Sequence, residues 1–246
     1  MNGAIVRRKS GPAARRPKPC GNRLLAALPG TVRRGLIARC VPIELQFGAT
    51  VCEQGARVRH VYFPMDGFIS LISSLDARPR LEVGLIGSEG MLGASLMLGV
   101  EVAQLRAVVQ GEGHALRMSA PQFARELQHS PALEAVLKRY VYVLMGQLAQ
   151  TAACTHFHVL EARLARWLLM MRDRAHSDTF YITQEFLAFM LGVRRGGITE
   201  AAGALRRRRL IRYTRGHMTI LEPQGLAAIS CECYAVAKQM YDEVMT

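Results

Sequence analysis

Apolar positions follow two different periods along the chain, and the change of period divides the chain into regions. Between residues 40 and 118, short apolar runs alternate with turn residues such as Gly48, Gly55 and Gly67. Several short strands at this spacing are typical of a sandwich, barrel or jelly roll. The predicted strands are Val41–Phe47, Val51–Cys52, Val58–Phe63, Phe68–Leu75, Leu81–Ile86, Arg106–Gln110 and His114–Met118.

From Ser119 onward, the apolar spacing becomes that of helices. A segment that begins near Ser130-Pro131 carries apolar residues at steps of three and four, which is close to the seam of a coiled coil. We predict that residues 131–157 form a dimerisation helix, and a core helix within one subunit is the alternative. The predicted interface residues are Leu133, Leu137, Tyr140, Leu144 and Leu148.

Residues 183–221 have the pattern of two helices followed by a hairpin. The first helix begins after Thr183, a good N-cap, and ends at Gly192. The second helix carries one apolar stripe, and two β-rich runs then flank Arg215-Gly216. This order predicts a winged helix-turn-helix. The stripe comprises Ile198, Ala201, Ala202 and Leu205.

The opposite face of the second helix suits DNA. The N-terminal residues of such a helix meet base edges, and arginine is shaped for two hydrogen bonds to guanine. We expect Gly196 and Gly197 to let the backbone approach DNA closely. The predicted DNA-binding residues are Thr183, Arg194, Arg195, Gly196, Thr199, Glu200, Arg206, Arg207 and Arg215. A solvated arginine face on an ordinary helical bundle and a helix-turn-helix for protein contact are the alternatives.

Charge is concentrated at two places in the chain, whose net charge is +13. Residues 1–23 hold seven Lys and Arg with no acid, and residues 194–215 hold eight Arg with one Glu. Such a balance favours nucleic acid or an anionic membrane surface as a partner. We predict a disordered basic tail over residues 1–23. No signal peptide or run of about 20 apolar residues occurs, so we expect a cytoplasmic protein without a membrane partner.

The cysteine and histidine pattern gives little sign of catalysis or metal binding. Cys154-x-His156-x-His158 has three possible ligands, but helix positions i, i+2 and i+4 do not converge on one point. Cys231-x-Cys233 is the other short motif, and we expect packed free thiols at both. No nucleophile–base pair, phosphate-binding loop or metal spacing emerges. We therefore predict a protein that is not an enzyme and has no metal or other cofactor.

Over about residues 24–225, the chain resembles the Crp/Fnr family of bacterial transcription regulators. The strongest match is Ile182-Thr-Gln-Glu-Phe-Leu-Ala-Phe-Met-Leu-Gly-Val-Arg-Arg195 with Leu210-Ile211 after it, and weaker matches lie at Phe47–Gly55 and Val61–Phe68. The resemblance implies an α+β fold. It has a double-stranded β-helix or jelly-roll sensor (24–130), a dimerisation helix (131–157) and a winged helix-turn-helix (158–246). It also implies a homodimer on a palindromic operator in double-stranded DNA, with RNA polymerase as a further candidate partner.

The resemblance weakens at the ligand pocket. Family members that bind cyclic nucleotides carry Gly-Glu-Leu and Arg-Ser/Thr-Ala segments, whereas this chain has Gly87-Ser-Glu89-Gly90 and Leu105-Arg106-Ala107. A shift of one place on a strand turns the arginine to the other face, so we expect no cyclic-AMP binding. The candidate pocket residues remain Gly87, Glu89, Gly90 and Arg106, the effector is unknown, and haem stays open. Cys20 stands alone near the N-terminus, so no iron–sulfur cluster is expected.

Recognition-helix residues also depart from the best-known members, which use an Arg-Glu-x-x-x-Arg set. Arg195 is retained, but Gly196 and Glu200 occupy the other two positions, which implies a different target sequence. The predicted function is a homodimeric, sequence-specific DNA-binding regulator with a sensor of unknown input. The alternative is a cyclic-nucleotide-binding module whose output is not DNA binding.

Overall fold

A computed structural model describes residues 21–74 and 80–245. Most of the predicted basic tail, and Cys20 with it, lies outside these residues. The N-terminal unit is built on two antiparallel sheets, with strand orders β1-β7-β3 and β2-β6-β4-β5. Its strands are β1 (Val41–Leu45), β2 (Thr50–Cys52), β3 (His60–Pro64), β4 (Phe68–Ser74), β5 (Arg80–Ile86), β6 (Arg106–Gly111) and β7 (Gly113–Ser119).

The two sheets pack face to face because each contributes inward-pointing apolar residues. Leu45 and Ala115 from the first sheet meet Ile69, Ala107 and Val109 from the second, and all five are buried. Alternation along each strand sends neighbouring residues to opposite faces, which is what closes a β-roll around an apolar interior. The predicted jelly-roll unit is confirmed.

Helices surround the roll and lead out of it. The first part of the chain forms α1 (Arg23–Ala26), α2 (Gly30–Ala38), a 3-10 turn (Ala94–Leu98), α3 (Ala120–His129) and α4 (Pro131–Phe157). The long helix α4 starts where Ser130 Oγ accepts a hydrogen bond from the Leu133 amide at 3.2 Å. Pro131 follows in the first turn, where its missing N–H costs no hydrogen bond.

The first half of α4 packs inside its own subunit. Leu133, Leu137 and Tyr140 are at most 2% exposed and belong to one core with Phe123. The Tyr140 hydroxyl also accepts from the Met91 amide at 3.0 Å. The prediction that these three residues form the dimer interface is therefore wrong, because the sensor already covers them.

The second half of α4 differs, as the other two predicted interface residues show. Leu144 is half-buried and lines the interior of the β-roll, whereas Leu148 is 41% exposed. The largest exposed apolar side chains of this half are Tyr142, Met145 and Phe157. The apolar surface that α4 leaves open therefore keeps Leu148 of the predicted seam, but it otherwise consists of residues outside that seam.

The C-terminal unit is helical with one small sheet of strand order β8-β10-β9. Its elements are α5 (Leu160–Ala175), β8 (Thr179–Tyr181), α6 (Gln184–Leu191), α7 (Arg195–Arg207), β9 (Ile211–Thr214), β10 (His217–Ile220), α8 (Pro223–Ile229) and α9 (Cys233–Met245). The last helix returns along α4, and its Tyr241 and Met245 are buried in the core that holds Tyr140. The predicted unit 158–246 thus includes a helix that packs on the sensor side.

A buried polar contact joins the two units. Glu82 on β5 accepts hydrogen bonds from Ser70 Oγ at 2.6 Å and from Trp167 Nε1 at 2.7 Å. Burial raises the pKa of the Glu82 carboxyl to about 7. The two units also share an apolar core, in which Phe68 and Leu85 meet Trp167 and neighbouring residues of α5. Among the described helices, none is long and apolar enough to cross a membrane.

Candidate nucleic-acid interface

Helices α6 and α7 form a helix-turn-helix whose ends are set by local sequence. Thr183 caps α6, since its Oγ1 accepts a hydrogen bond from the Phe186 amide at 3.2 Å. Gly192 ends α6 in the left-handed region, at φ 64°, where glycine is favoured. The predicted stripe of α7 is buried throughout, and it packs in one core with α5 and α6. Its members are Ile198, Ala201, Ala202 and Leu205.

The opposite face of α7 is exposed at every predicted position. Arg194 precedes the helix and Arg195 begins it, and neither forms an ion pair with another described residue. A Cβ at Gly196 would meet no atom within 4 Å, so this part of the helix is open to a partner. The other predicted residues on this surface, all exposed, are Thr199, Glu200, Arg206 and Arg207.

Gly197 has a different reason to be small. A Cβ there would come within 2.9 Å of the Leu160 side chain, so the residue lets α7 pack closely on α5. The expectation that it lets DNA approach is wrong, since it faces inward.

Gln184 is a surface residue that the sequence analysis missed. The Thr199 hydroxyl donates to Gln184 Oε1 at 2.8 Å, which places both side chains on the same exposed edge of the motif. The sequence did offer one signal for Gln184. It directly follows the N-cap Thr183 and so begins α6, the helix that lies beside α7 in the motif.

The wing is a tight hairpin. Strands β9 and β10 pair Thr214 with His217, and the two residues between them have positive φ, 48° at Arg215 and 81° at Gly216. Two positive φ angles define the type I′ turn, whose twist matches paired strands. The exposed Arg215 therefore lies at the tip, on the same unit as α7. The Tyr213 hydroxyl donates to the Ile182 carbonyl at 2.9 Å, which ties the wing to the start of α6.

The interior of the β-roll contains a cavity of about 620 Å³, and none of the four predicted pocket residues lines it. Glu89 instead forms a partly buried ion pair with Arg174 at 2.6 Å. Gly87 and Gly90 lie against Arg174 and Tyr140, where a Cβ would collide with the neighbouring side chain. The prediction of Gly87, Glu89 and Gly90 as pocket residues is wrong, because this loop turns outward to pack on α4 and α5.

Arg106 also stays outside the cavity. Its Nε lies 3.0 Å from Glu53 Oε2, and its Nη2 donates to Thr50 Oγ1 at 2.8 Å. These contacts hold the guanidinium against Thr50 of the neighbouring strand β2 and against Glu53, which follows that strand. The residues that do line the cavity are mostly apolar and include Val51, Tyr62, Leu71, Leu92, Leu105 and Leu144.

Comparisons with known proteins agree with this arrangement. Residues 162–229 match the model of the Crp-like helix-turn-helix domain. A search of curated proteins finds no match to the sequence.

Several solved structures share the fold at low sequence identity. The c-di-GMP-responsive global regulator CLP of Xanthomonas campestris is 14% identical, with 78% of this chain and 99% of that chain covered and a TM-score of 0.65. A CRP-family transcriptional regulator of Thermus thermophilus is 17% identical, with 76% and 96% covered and a TM-score of 0.63. A CRP/FNR-family regulator of the same organism is 19% identical, with 77% and 98% covered and a TM-score of 0.56.

The matched domain and the shared fold lead to one conclusion about family. Residues 162–229 are a Crp-like helix-turn-helix domain, and the described chain has the fold of the Crp/Fnr regulators. The predicted Crp-like helix-turn-helix is thus confirmed for residues 162–229, and the predicted Crp/Fnr fold is confirmed for the described chain.

Proposed function

We propose that this protein is a homodimeric transcription regulator that binds a two-fold-symmetric DNA site through α7 and the wing. The observation that carries the proposal is the exposed face of α7, where Arg194 and Arg195 lie unpaired among the described residues beside the open position Gly196. Arginine at this end of a recognition helix suits bidentate bonds to guanine in the major groove. Arg215 at the wing tip suits a phosphate contact.

The proposed dimer uses the open face of α4. Tyr142 and Met145 are 64% and 65% exposed, and Leu148 follows one turn later. Water-exposed apolar side chains at helical spacing gain free energy when a second copy covers them. A two-fold axis along this face would present two copies of α7 to two half-sites of a palindrome.

The proposed input is a small and mainly apolar molecule in the β-roll cavity. Leu144 of α4 belongs to its wall, so an occupant would contact the proposed dimer helix directly. The Arg106 guanidinium is already engaged by Glu53 and Thr50, so it is not free to bind an anionic cyclic phosphate in the cavity. A constitutive regulator with an empty cavity is the alternative, and titration calorimetry with cyclic AMP tests whether a cyclic phosphate binds.

Selection from a pool of random duplexes tests DNA recognition. We expect wild type to retain a palindromic motif and Arg195→Ala to lose or relax one position in each half-site, with about 10- to 100-fold weaker specific binding. Arg125→Ala removes the same charge from the exposed face of α3 and should keep the motif. Retention without any motif, with affinity that only falls as salt rises, would mean that charge alone binds DNA.

Sedimentation velocity tests the dimer. Met145→Lys places a charge in the proposed interface and should convert a dimer of 27.2 kDa chains into monomers. Ala124→Lys adds the same charge at an exposed position on α3 and should leave the dimer intact. A monomeric wild type, or a dimer that tolerates Met145→Lys, contradicts the proposed interface.

A further inference from the structure

Two short motifs that lie far apart in the chain meet where α4 ends. Cys154 and His158 come from the last turn and the C-cap of α4. Cys231 lies between α8 and α9, and Cys233 begins α9. All four ligand atoms lie within 4.8 Å of one another. The Sγ atoms of Cys154 and Cys231 are 3.5 Å apart, and Cys233 Sγ is 3.5 Å from His158 Nδ1.

These separations fit one tetrahedral metal ion. Zinc bonds of about 2.3 Å to sulfur and about 2.0–2.1 Å to nitrogen place tetrahedral donors about 3.5–3.8 Å apart. Three thiolates and one imidazole form a donor set that structural zinc sites use, and soft thiolates disfavour Mg²⁺ and Ca²⁺. Small side-chain rotations would bring the wider pairs to this distance.

The surroundings resemble a supporting shell for such a site. His158 Nε2 lies 3.3 Å from the carboxylate of Glu232, the arrangement that orients metal-bound histidines. Gln150 Nε2 donates to Cys233 Sγ at 2.8 Å. The three cysteines are at most 5% exposed, as expected for a closed site.

Charge around the cluster favours a bound Zn²⁺ with three thiolates, whose net charge is −1. Arg166 and Arg163 both interact electrostatically with Cys154, and Arg163 also does so with Cys231. Positive guanidinium groups beside a buried anionic centre offset part of its desolvation cost.

We propose that Cys154, His158, Cys231 and Cys233 bind one Zn²⁺ as a closed structural site. On binding, the three thiols release their protons to solvent, and neutral His158 uses Nδ1 for the metal while its Nε2–H donates to Glu232. The site would fasten the end of α4 to the start of α9.

The position of the site links it to the helix-turn-helix. Arg163 lies in the first turn of α5, just after the cluster, and its Nη2 donates to the Leu191 carbonyl at the end of α6, at 2.7 Å. Zinc would therefore fix the angle at which the C-terminal unit leaves α4. This inference stands independently of DNA binding, since its first readout is metal content.

Zinc analysis of the full-length protein, purified without a metal-affinity step, tests the proposal. We expect one zinc per chain. After removal of zinc by a chelator, added Co²⁺ should give the strong ligand-field bands of tetrahedral cobalt together with a thiolate charge-transfer band. Thermal unfolding should move to a lower temperature without zinc and return when zinc is added, because a metal that binds only the folded chain stabilises it.

Matched variants locate the ligands. His158→Ala should lose zinc, whereas His156→Ala, which changes an exposed histidine two residues earlier, should keep it. Cys231→Ser with Cys233→Ser should lose zinc, and Cys40→Ser with Cys52→Ser should not. Glu232→Gln leaves every ligand in place and should weaken zinc binding by about 10- to 100-fold.

Three results would overturn the proposal. The first is a zinc-free protein in which cobalt gives no tetrahedral spectrum. The second is a disulfide between Cys154 and Cys231 in protein purified under reducing conditions. The third is equal zinc loss in the ligand variants and in their controls. The cobalt spectrum of wild type decides the matter even where a variant fails to fold.

Discussion

Helices α7 and α4 each carry a predicted interface, but sequence periodicity identified the exposed face of only one of them. In α7, four small or aliphatic residues form a single stripe among charged residues and glycines, and that stripe is the buried one. In α4, apolar residues occur on several faces, so Leu137 and Met145 look equivalent in the sequence. The structure buries Leu137 fully and leaves Met145 65% exposed. Periodicity therefore identifies a buried face only when the other faces are polar.

A pair of tyrosines on α4 gives the sharpest test of this comparison. Tyr140→Ala removes a ring that is 2% exposed and hydrogen-bonded to Met91, so we expect the free energy of unfolding to fall by about 3–5 kcal/mol. Tyr142→Ala removes the same group from a position that is 64% exposed and should change the stability of the subunit by less than about 0.5 kcal/mol. Urea unfolding, with each variant held at a concentration where it is monomeric, measures both values. Equal losses of unfolding free energy would mean that Tyr142 is as important to the core of the subunit as Tyr140.

The buried contact between β5 and α5 gives an intermediate effect that depends on pH. Since the pKa of Glu82 is about 7 in the folded chain against an ordinary value of 4.5, the folded state binds more protons between these values. The free energy of unfolding contributed by this group therefore falls as pH rises from about 4.5 to about 7. Glu82→Gln, which carries no charge, should gain stability relative to wild type over that range, on the order of 1–3 kcal/mol. If the free energy of unfolding changes with pH in the same way in both proteins, burial of the Glu82 carboxyl does not destabilise the fold in this way.

The smallest effect concerns α7 and separates stability from binding. Gly196→Ala adds a methyl group where no atom lies within 4 Å, so we expect the helix to gain about 0.5–1 kcal/mol. The same methyl group should weaken specific DNA binding if the backbone approaches DNA here. Thermal unfolding and fluorescence anisotropy with the selected duplex measure the two effects. An unchanged affinity would limit the DNA contact to the side chains around Gly196.

Most of the fold, and the exposure of the predicted DNA-binding residues, followed from local sequence. The N-cap Thr183, the terminal Gly192 and the turn Arg215-Gly216 each act within a few residues, so short patterns were enough to place α6, α7 and the wing. Gln184 was missed because its role depends on a contact with Thr199, fifteen positions away. The loop 87–90 was misjudged for a similar reason, because Tyr140, Arg174 and Tyr241 from three helices hold it.

The sequence by itself determined the order of the units, the helix-turn-helix and the face of α7 that meets solvent, because local hydrogen bonds and one-sided hydrophobicity decide these features. Tertiary structure alone decided which face of α4 is covered and where the β-roll cavity lies. It also decided that Cys154 and His158 meet Cys231 and Cys233. These features join segments that lie far apart in the chain, and neither segment shows a periodic pattern that predicts the contact. The Cys154–His158 pair and Cys231-x-Cys233 each looked incomplete until the return of α9 along α4 brought them together.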